Sequence, residues 1–410
     1  MKEGEMMADG ATTRDLRTRN RARVLRQVVV AGETTRADLA AQCHLSTATV
    51  TNVVGDLLRE GLIEERGSLP SDGGRPIGQI GVHAPGAYFL GADVGEHGVA
   101  VELFDLSFER LDREFREGRT RESTPTEIGE ALQDAVSAIR ARHPEQEPRL
   151  VGLGLGLPGI VEDTTGSHGG HDVVLYAQSL GWPPVPVDEL LRADGLEVFA
   201  DNGAKTLATA EIWFGAARDV DHAIVALLGR GIGLGVVSNG ELMRGLASSA
   251  GEWGHTKVSV GGPRCRCGAH GCLEAYVGAD AILRRWRDSG GEPPGSGWRA
   301  LTALVASADA GDSAAIRVLD ETVEILALAL GNLVNLTNPE RVIVGGWVGL
   351  CLMQSRRAQL EAQVRAAALE RPGSQFTLEL CRFEGDSVAL GAALLPLQRL
   401  IDGPMAKVTT

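Results

Sequence analysis

The chain has 410 residues, 43% of them hydrophobic, enough to bury two or three separate cores. Its formal net charge of -14 argues against a protein that coats nucleic acid with its whole surface, and no apolar run reaches the ~18 residues of a membrane span. The start, MKEGEMMADG, has two glutamates and no apolar stretch of a secretory leader, so a cytoplasmic location is expected.

Residues 1–85 hold 11 basic and 11 acidic side chains, so the other 325 residues carry all of the -14. Within that neutral part, Arg14, Arg17, Arg19, Arg21, Arg23 and Arg26 face one acid, Asp15, and form a local basic stripe. A helix is expected over residues 20–31, with Val24, Leu25 and Val28 on one face and Gly32 ending it. Thr34 or Thr35 can cap a second helix carrying Leu39 and Ala40, and Cys43, His44 and Leu45 make a short turn. Cys43 reads as a small buried hydrophobe. Ser46 then caps a longer helix to about Glu60, where Val50, Val53, Val54, Leu57 and Leu58 repeat at helical spacing and Gly61 stops it. Leu62 and Ile63 open a strand, and a turn at Asp72, Gly73 and Gly74 returns a second strand through Ile77 and Ile80.

Three short helices and a hairpin make a winged helix-turn-helix over residues 1–85. Its third helix exposes Thr47, Thr49, Thr51 and Asn52, short polar groups that can meet base edges. Arg19, Arg21 and Arg75 are candidate phosphate contacts on double-stranded DNA. A protein-binding winged helix is the alternative.

From Tyr88 the pattern changes to α/β. FLGADVGEHGVAVELFD reads as two strands around a glycine turn, LVGLGLGLPGIVE as a buried strand entering a loop, and VFADNGAK as a strand and turn before a helix. AIVALLGRGIGLGVVSNGEL is a hairpin, and RVIVGG a strand after the apolar helix of Leu326 to Leu336. Glycine loops after strands offer backbone N–H groups to anions. Three in series point to a two-lobed actin-like ATPase fold with a cleft, divided as 86–200 and 201–410.

The stretch GEWGHTKVSVGGPRCRCGAHGCLEAY, from Gly251, holds Cys265, Cys267 and Cys272 within eight residues, with His255 ten positions before the first. Three thiolates and one imidazole complete the shell of a tetrahedral structural zinc. His270, inside the loop, is a rival fourth ligand. His255 is preferred because an anchor outside the loop ties it to the domain. A closed zinc leaves no open position for chemistry, so its expected task is to fix the loop that presents Glu252 and Glu274 to a polar, hydroxyl-bearing ligand. Two solvated surface acids are the plainer reading.

These motifs resemble the ROK family (repressors, open reading frames, sugar kinases), in its xylose-repressor-like branch with an N-terminal winged helix. RNRARVLRQ, LSTATVTNVVGDLLREGLIEERG and GRP resemble the DNA-binding part. GLGLPG, LGW, GEWGH and CRCGAHGCLE resemble the sugar-kinase part, and the likeness runs from about Asn20 to about Leu400. It implies zinc on His255, Cys265, Cys267 and Cys272, and a sugar facing Asn202, Glu252, His255 and Glu274.

The departures bear on activity. Kinases of the family read Asn-Asp-Ala-Asn where this chain has Asn202, Gly203, Ala204 and Lys205. That aspartate is the family's general base, and losing such a base costs roughly 10² to 10⁴ in rate. Asp201 points to the other face of its strand by alternation. Glu96 stands in the first phosphate loop and Arg230 in the second, where Arg230 either binds an anion or plugs the loop. Ser179 replaces an asparagine of the ligand pocket. The expectation is a transcriptional regulator of repressor type. Its sugar-kinase-like domain is catalytically inactive and senses a sugar or sugar derivative, in a homodimer or homotetramer on operator DNA. The alternatives are an active ATP-dependent sugar kinase, a regulator without a small-molecule effector, and a zinc sensor.

Overall fold

The protein is described by a computed structural model over residues 13–70, 76–95, 98–118, 124–163, 173–191, 195–383 and 387–402. The head comprises α1 (Thr13–Ala31), β1 (Glu33–Thr35), α2 (Arg36–Gln42), α3 (Thr47–Arg59), β2 (Ile63–Leu69) and β3 (Ile77–Val82). Thr35 caps α2 by accepting the Asp38 N–H at 3.2 Å, and Ser46 caps α3 by accepting the Thr49 N–H at 3.1 Å. Each cap satisfies a backbone donor that its helix leaves open. Gly32 and Gly61 stand at φ of 72° and 70°, which suits them to end α1 and α3. Val50, Val53, Val54 and Leu57 bury one face of α3. The wing is a three-stranded sheet ordered β1-β3-β2. β1 was not expected, since three residues are too few to show a period.

The first lobe contains β4 (Tyr88–Gly95), β5 (Gly98–Asp105), β6 (Arg110–Glu117), α4 (Pro125–Arg142), β7 (Leu150–Leu157), β8 (Ile160–Asp163), β9 (Val173–Tyr176), β10 (Val185–Pro186), α5 (Val187–Leu190), β11 (Val198–Asn202) and α6 (Gly203–Phe214). The second contains β12 (Ala223–Leu228), β13 (Ile232–Ser238), β14 (Glu241–Leu242), α7 (Glu274–Val277), α8 (Ala279–Asp288), α9 (Gly297–Asp309), α10 (Ser313–Thr337), β15 (Arg341–Gly345), α11 (Gly346–Ala367), α12 (Glu370–Gln375) and β16 (Thr377–Leu380). Two helices close the chain, α13 (Ser387–Ala393) and α14 (Leu397–Asp402).

The main sheets run β11-β7-β4-β5-β6 and β14-β13-β12-β15-β16. Both follow one plan: an antiparallel meander of three strands, then two strands added parallel to the first. Leu90, Val101, Leu132 and Val136 share the first lobe's core, between its sheet and α4. The second core packs α8–α11 on the other sheet.

The expected boundary after residue 200 falls inside β11, and α13 returns to pack on β4, β7 and α6. The first lobe is therefore discontinuous in sequence. A methyl group on Gly154 would collide with the Ala392 carbonyl oxygen, so only glycine admits α13 this closely. The head shares a core with this lobe: Val24, Leu25 and Leu57 lie in one cluster with Phe89, Phe104 and Leu397. Among the described residues no helix is long and apolar enough to cross a membrane.

Candidate ligand cleft, metal centre and DNA head

The metal cluster lies on the long connection from β14 to β15. Its loop folds back on itself, bridging Lys257 to Cys272 and Arg264 to His270. Gly268 and Gly271 have φ of 89° and 73°, which permits the knuckle between Cys267 and Cys272. The ligand atoms of His255, Cys265, Cys267 and Cys272 all lie within 4.8 Å of one another. Cys267 and Cys272 sulfurs are 3.8 Å apart, and Cys265 Sγ is 3.7 Å from His255 Nδ1. A tetrahedral ion with metal–sulfur bonds of about 2.3 Å requires sulfur–sulfur edges of about 3.8 Å. The donor set can therefore hold a metal ion. His270 turns its Nδ1 to the Gly262 carbonyl, 3.1 Å away, and stands outside the cluster. Lys257 Nζ donates to Cys272 Sγ at 2.8 Å. Burial pushes the Cys265 thiol up to about 12, so a metal must displace its proton.

A cleft of about 360 Å³ opens beside this cluster, between the lobes. All five expected ligand residues line it: Ser179, Asn202, Glu252, His255 and Glu274. They come from four parts of the chain. Ser179 sits on a short turn after β9. Asn202 ends β11 and caps α6, its Oδ1 accepting the Ala204 N–H at 2.9 Å and its Nδ2 donating to the Gly159 carbonyl at 2.6 Å. Glu252 follows Gly251, whose φ of 100° and contact with Leu234 exclude any side chain. Glu274 opens α7 and accepts the Ile232 N–H at 3.0 Å, which ties the loop to the second sheet. Burial raises the Glu252 carboxyl above its ordinary range, while His255 and Lys205 oppose the shift.

Beneath the cleft lies a charged network that the sequence reading missed. Asp201 faces away from the cleft lining, as strand alternation predicts, and accepts from Arg244 at 2.6 Å. The buried Lys205 donates to the Ser248 carbonyl. Its burial lowers the ammonium pKa, against the pull of Asp201. Ala247 and Ser248 take φ of 51° and 60°, a strained pair of non-glycine residues just ahead of Glu252. Arg113, Arg266 and Trp347 also line the cleft without having been foreseen. Arg266 sits between Cys265 and Cys267 in the metal loop and reads as a spacer there, whereas no local motif signals Arg113 or Trp347. Arg230 is anchored by two hydrogen bonds to Asp280, at 3.0 and 2.8 Å, which favours the plug over an anion contact. Glu96 lies outside the described residues.

In the head, Thr47, Thr51 and Asn52 are exposed along one face of α3. Thr49 is half-buried, with its hydroxyl 2.9 Å from that of Ser46, and Thr51 donates to the Thr47 carbonyl. Arg19 is exposed, and Arg75 lies outside the described residues. Arg21 corrects the expectation of a phosphate contact: its guanidinium is spent on Glu60 and the Leu400 carbonyl, leaving its side chain 11% exposed. Arg17 likewise pairs with Asp56.

Residues 89–399 match the ROK family, and residues 17–73 match the MarR family. The chain belongs to the ROK family. A xylose repressor of Caldicellulosiruptor bescii is 26% identical, covering 94% of this chain and 97% of its own. A glucokinase of Halalkalibacterium halodurans is 30% identical, covering 76% of this chain and 96% of its own. The crystal structure of a ROK family transcriptional regulator, a homologue of the E. coli MLC protein, superposes with a TM-score of 0.74 at 26% identity, covering 94% of this chain and 97% of its own. The repressor and the MLC homologue span the head as well as the lobes, while the glucokinase relates to about three quarters of the chain. ROK proteins thus include regulators and kinases, and Gly203 bears on which this one is. Gly203 opens α6 at the cleft wall, and a side chain there would meet Val388 at 3.7 Å, an ordinary contact. The backbone admits a Cβ at 203, and this ROK chain has none there.

Proposed function

We propose that the protein is a DNA-binding transcriptional regulator of repressor type whose ROK domain binds a sugar or sugar derivative without phosphorylating it. The observation that carries this reading is the convergence of Ser179, Asn202, Glu252, His255 and Glu274 on one cleft whose general-base position is Gly203. The carboxylates and amide suit a polyol, and the missing base leaves a hydroxyl bound but not deprotonated. His255, Cys265, Cys267 and Cys272 would hold a structural zinc, which supplies a rigid frame for Glu252 and Glu274 and no catalysis. Residues 1–85 act as the DNA head, with Thr47, Thr49, Thr51 and Asn52 toward bases and Arg19 and Arg75 toward phosphates. A homodimer or homotetramer would present paired heads to a palindromic operator, with half-sites about one helical turn, or a multiple, apart. A ligand that prefers one lobe arrangement shifts the equilibrium between head placements. The site of action is the cytoplasm.

Two assays test this together. Full-length protein is used to select duplexes from a random library, and selected DNA is titrated against xylose, glucose, amino sugars and sugar phosphates. Coupled assays with ATP and the same sugars follow phosphoryl transfer. Enrichment of a palindrome, with release by one sugar and no turnover, is expected. Turnover abolished by Glu252→Ala would overturn the inactive-domain reading.

A further inference from the structure

Arg21 joins three elements that are distant in sequence. Its Nη1 and Nη2 donate to the two carboxylate oxygens of Glu60 at 2.8 and 2.5 Å. Its Nε and Nη2 donate to the Leu400 carbonyl oxygen at 3.0 and 2.9 Å. Glu60 is the C-cap of α3, the helix that carries the candidate base-reading face. Leu400 belongs to α14, the last described helix of the body. One guanidinium therefore grips the end of α3 with one edge and the end of the body with another. Bidentate, charge-assisted contacts set direction as well as strength, and a lysine cannot reproduce the fork.

The body side of this grip leads to the cleft. Three residues separate α14 from α13, and Val388, near the start of α13, lines the cleft beside Gly203. Between those ends α13 has no slack. A methyl group on Gly91, Gly154 or Gly391 would collide with the backbone oxygen of Ala389, Ala392 or Thr206 respectively. Close-packed contacts of this kind transmit a displacement rather than absorb it. A shift at Val388 thus reaches α14, and Arg21 carries it to α3. Among the described residues the head and body also meet through Arg26, 5.1 Å over the ring of Trp213, through Arg149, which donates to the Pro85 carbonyl at 3.1 Å, and through the Leu106 N–H, which donates to the Ala84 carbonyl at 3.1 Å; none of these touches α3.

We propose that Arg21, with Glu60, is the positioning pair that fixes the DNA-reading helix at a set angle to the ROK body, so that the spacing between paired heads is dictated by α13 and α14. The inference rests on the DNA-binding reading and names the joint through which the cleft acts on it. Paired heads held at a fixed angle engage two half-sites only at the matching separation, and avidity of 10² or more vanishes when geometry forbids the second contact.

The test uses the full chain. Paired half-sites selected by the wild type are rebuilt with the separation changed by two base pairs either way. Wild type is expected to lose about 100-fold in affinity off the preferred spacing, and Arg21→Lys and Glu60→Gln to lose less than about 10-fold, with base preference inside each half-site unchanged. Glu60→Gln keeps the shape and an acceptor, so its fold is preserved, and a thermal melt verifies this for both variants. Variants that keep the wild-type spacing profile would show that the pair only braces the fold and would overturn the proposal. So would variants that lose base preference within a half-site, since the pair would then shape the reading face itself. Failure of the wild type to enrich any duplex sinks the DNA-binding reading, whereas enrichment followed by unchanged spacing profiles sinks the clamp alone.

Discussion

The two lobes share one strand plan and differ in what they insert into it. In the first, β6 leads to β7 by way of the α-helix α4, and the small sheet β8-β9-β10 is inserted later, between β7 and β11. In the second, the connection from β14 to β15 holds the metal loop and four helices. The first lobe contributes Ser179 and Asn202 to the cleft, held by ordinary hydrogen bonds and a helix cap. The second contributes Glu252, His255 and Glu274 from a segment with no sheet of its own, beside a His/Cys cluster that can hold a metal ion. The lesson is that one wall of a cleft can be built on packed sheet and helix and the other on a loop whose donor set can take a metal ion.

That contrast predicts unequal sensitivity. The largest effect is expected from Cys272→Ser. Structural zinc supplies about 10–16 kcal/mol of folding free energy in small zinc domains, so losing a ligand should unfold the second wall. Native mass spectrometry should show the metal gone, and circular dichroism should show lost structure in the second lobe. Next comes Phe89→Ala, a fully buried ring stacked on Phe108 at 5.2 Å in the core that the head shares with the first lobe. A cost of about 3–5 kcal/mol is expected in urea unfolding, with head and first lobe melting together and metal content intact. Separate transitions would break the picture of a shared core.

Asn202→Ala removes the cap of α6 and should cost about 1 kcal/mol, with ligand affinity falling as well. Calorimetry before and after ligand addition separates the two losses. Glu252→Gln sharpens the comparison through pH. Burial raises the Glu252 carboxyl, so the folded protein holds a proton that the unfolded chain has released just above its ordinary pKa. Wild-type stability from this group therefore falls as pH rises through that window, and the variant lacks the fall. The difference between the two melting temperatures should grow in the variant's favour from acid toward neutral pH, and a constant difference would contradict the assignment. The smallest effect is expected from Gly203→Asp. A Cβ there meets only ordinary contacts, so stability should stay within about 0.5 kcal/mol of wild type in the same urea assay.

Much of this is legible in the residue types and their spacing. The caps Thr35 and Ser46 and the stops Gly32 and Gly61 are local chemistry, readable from residue type and spacing. The cluster that can hold a metal is legible because three cysteines in eight residues have few other uses, and the structure groups His255 with them while His270 turns to the Gly262 carbonyl. The strand β1, the small sheet and the return of α13 to the first lobe were not legible, since pairing between distant segments leaves no periodic trace. Arg21 shows the limit most plainly. A basic stripe predicts solvent-facing charge, and only tertiary contact reveals that one member is bound to Glu60 and Leu400.

The sequence by itself determined the helical head, the α/β body, the cluster of sulfur and imidazole ligands and the missing carboxylate at Gly203. Those are properties of residue identity and short-range spacing, which the chain carries whether folded or not. Tertiary structure alone decided that five residues from four segments share one cleft and that Lys205 and Asp201 lie beneath it. It also decided that the head joins the body through a shared hydrophobic core and through Arg21. These depend on which distant backbones pack closely enough to exclude water, and residue order does not encode that locally.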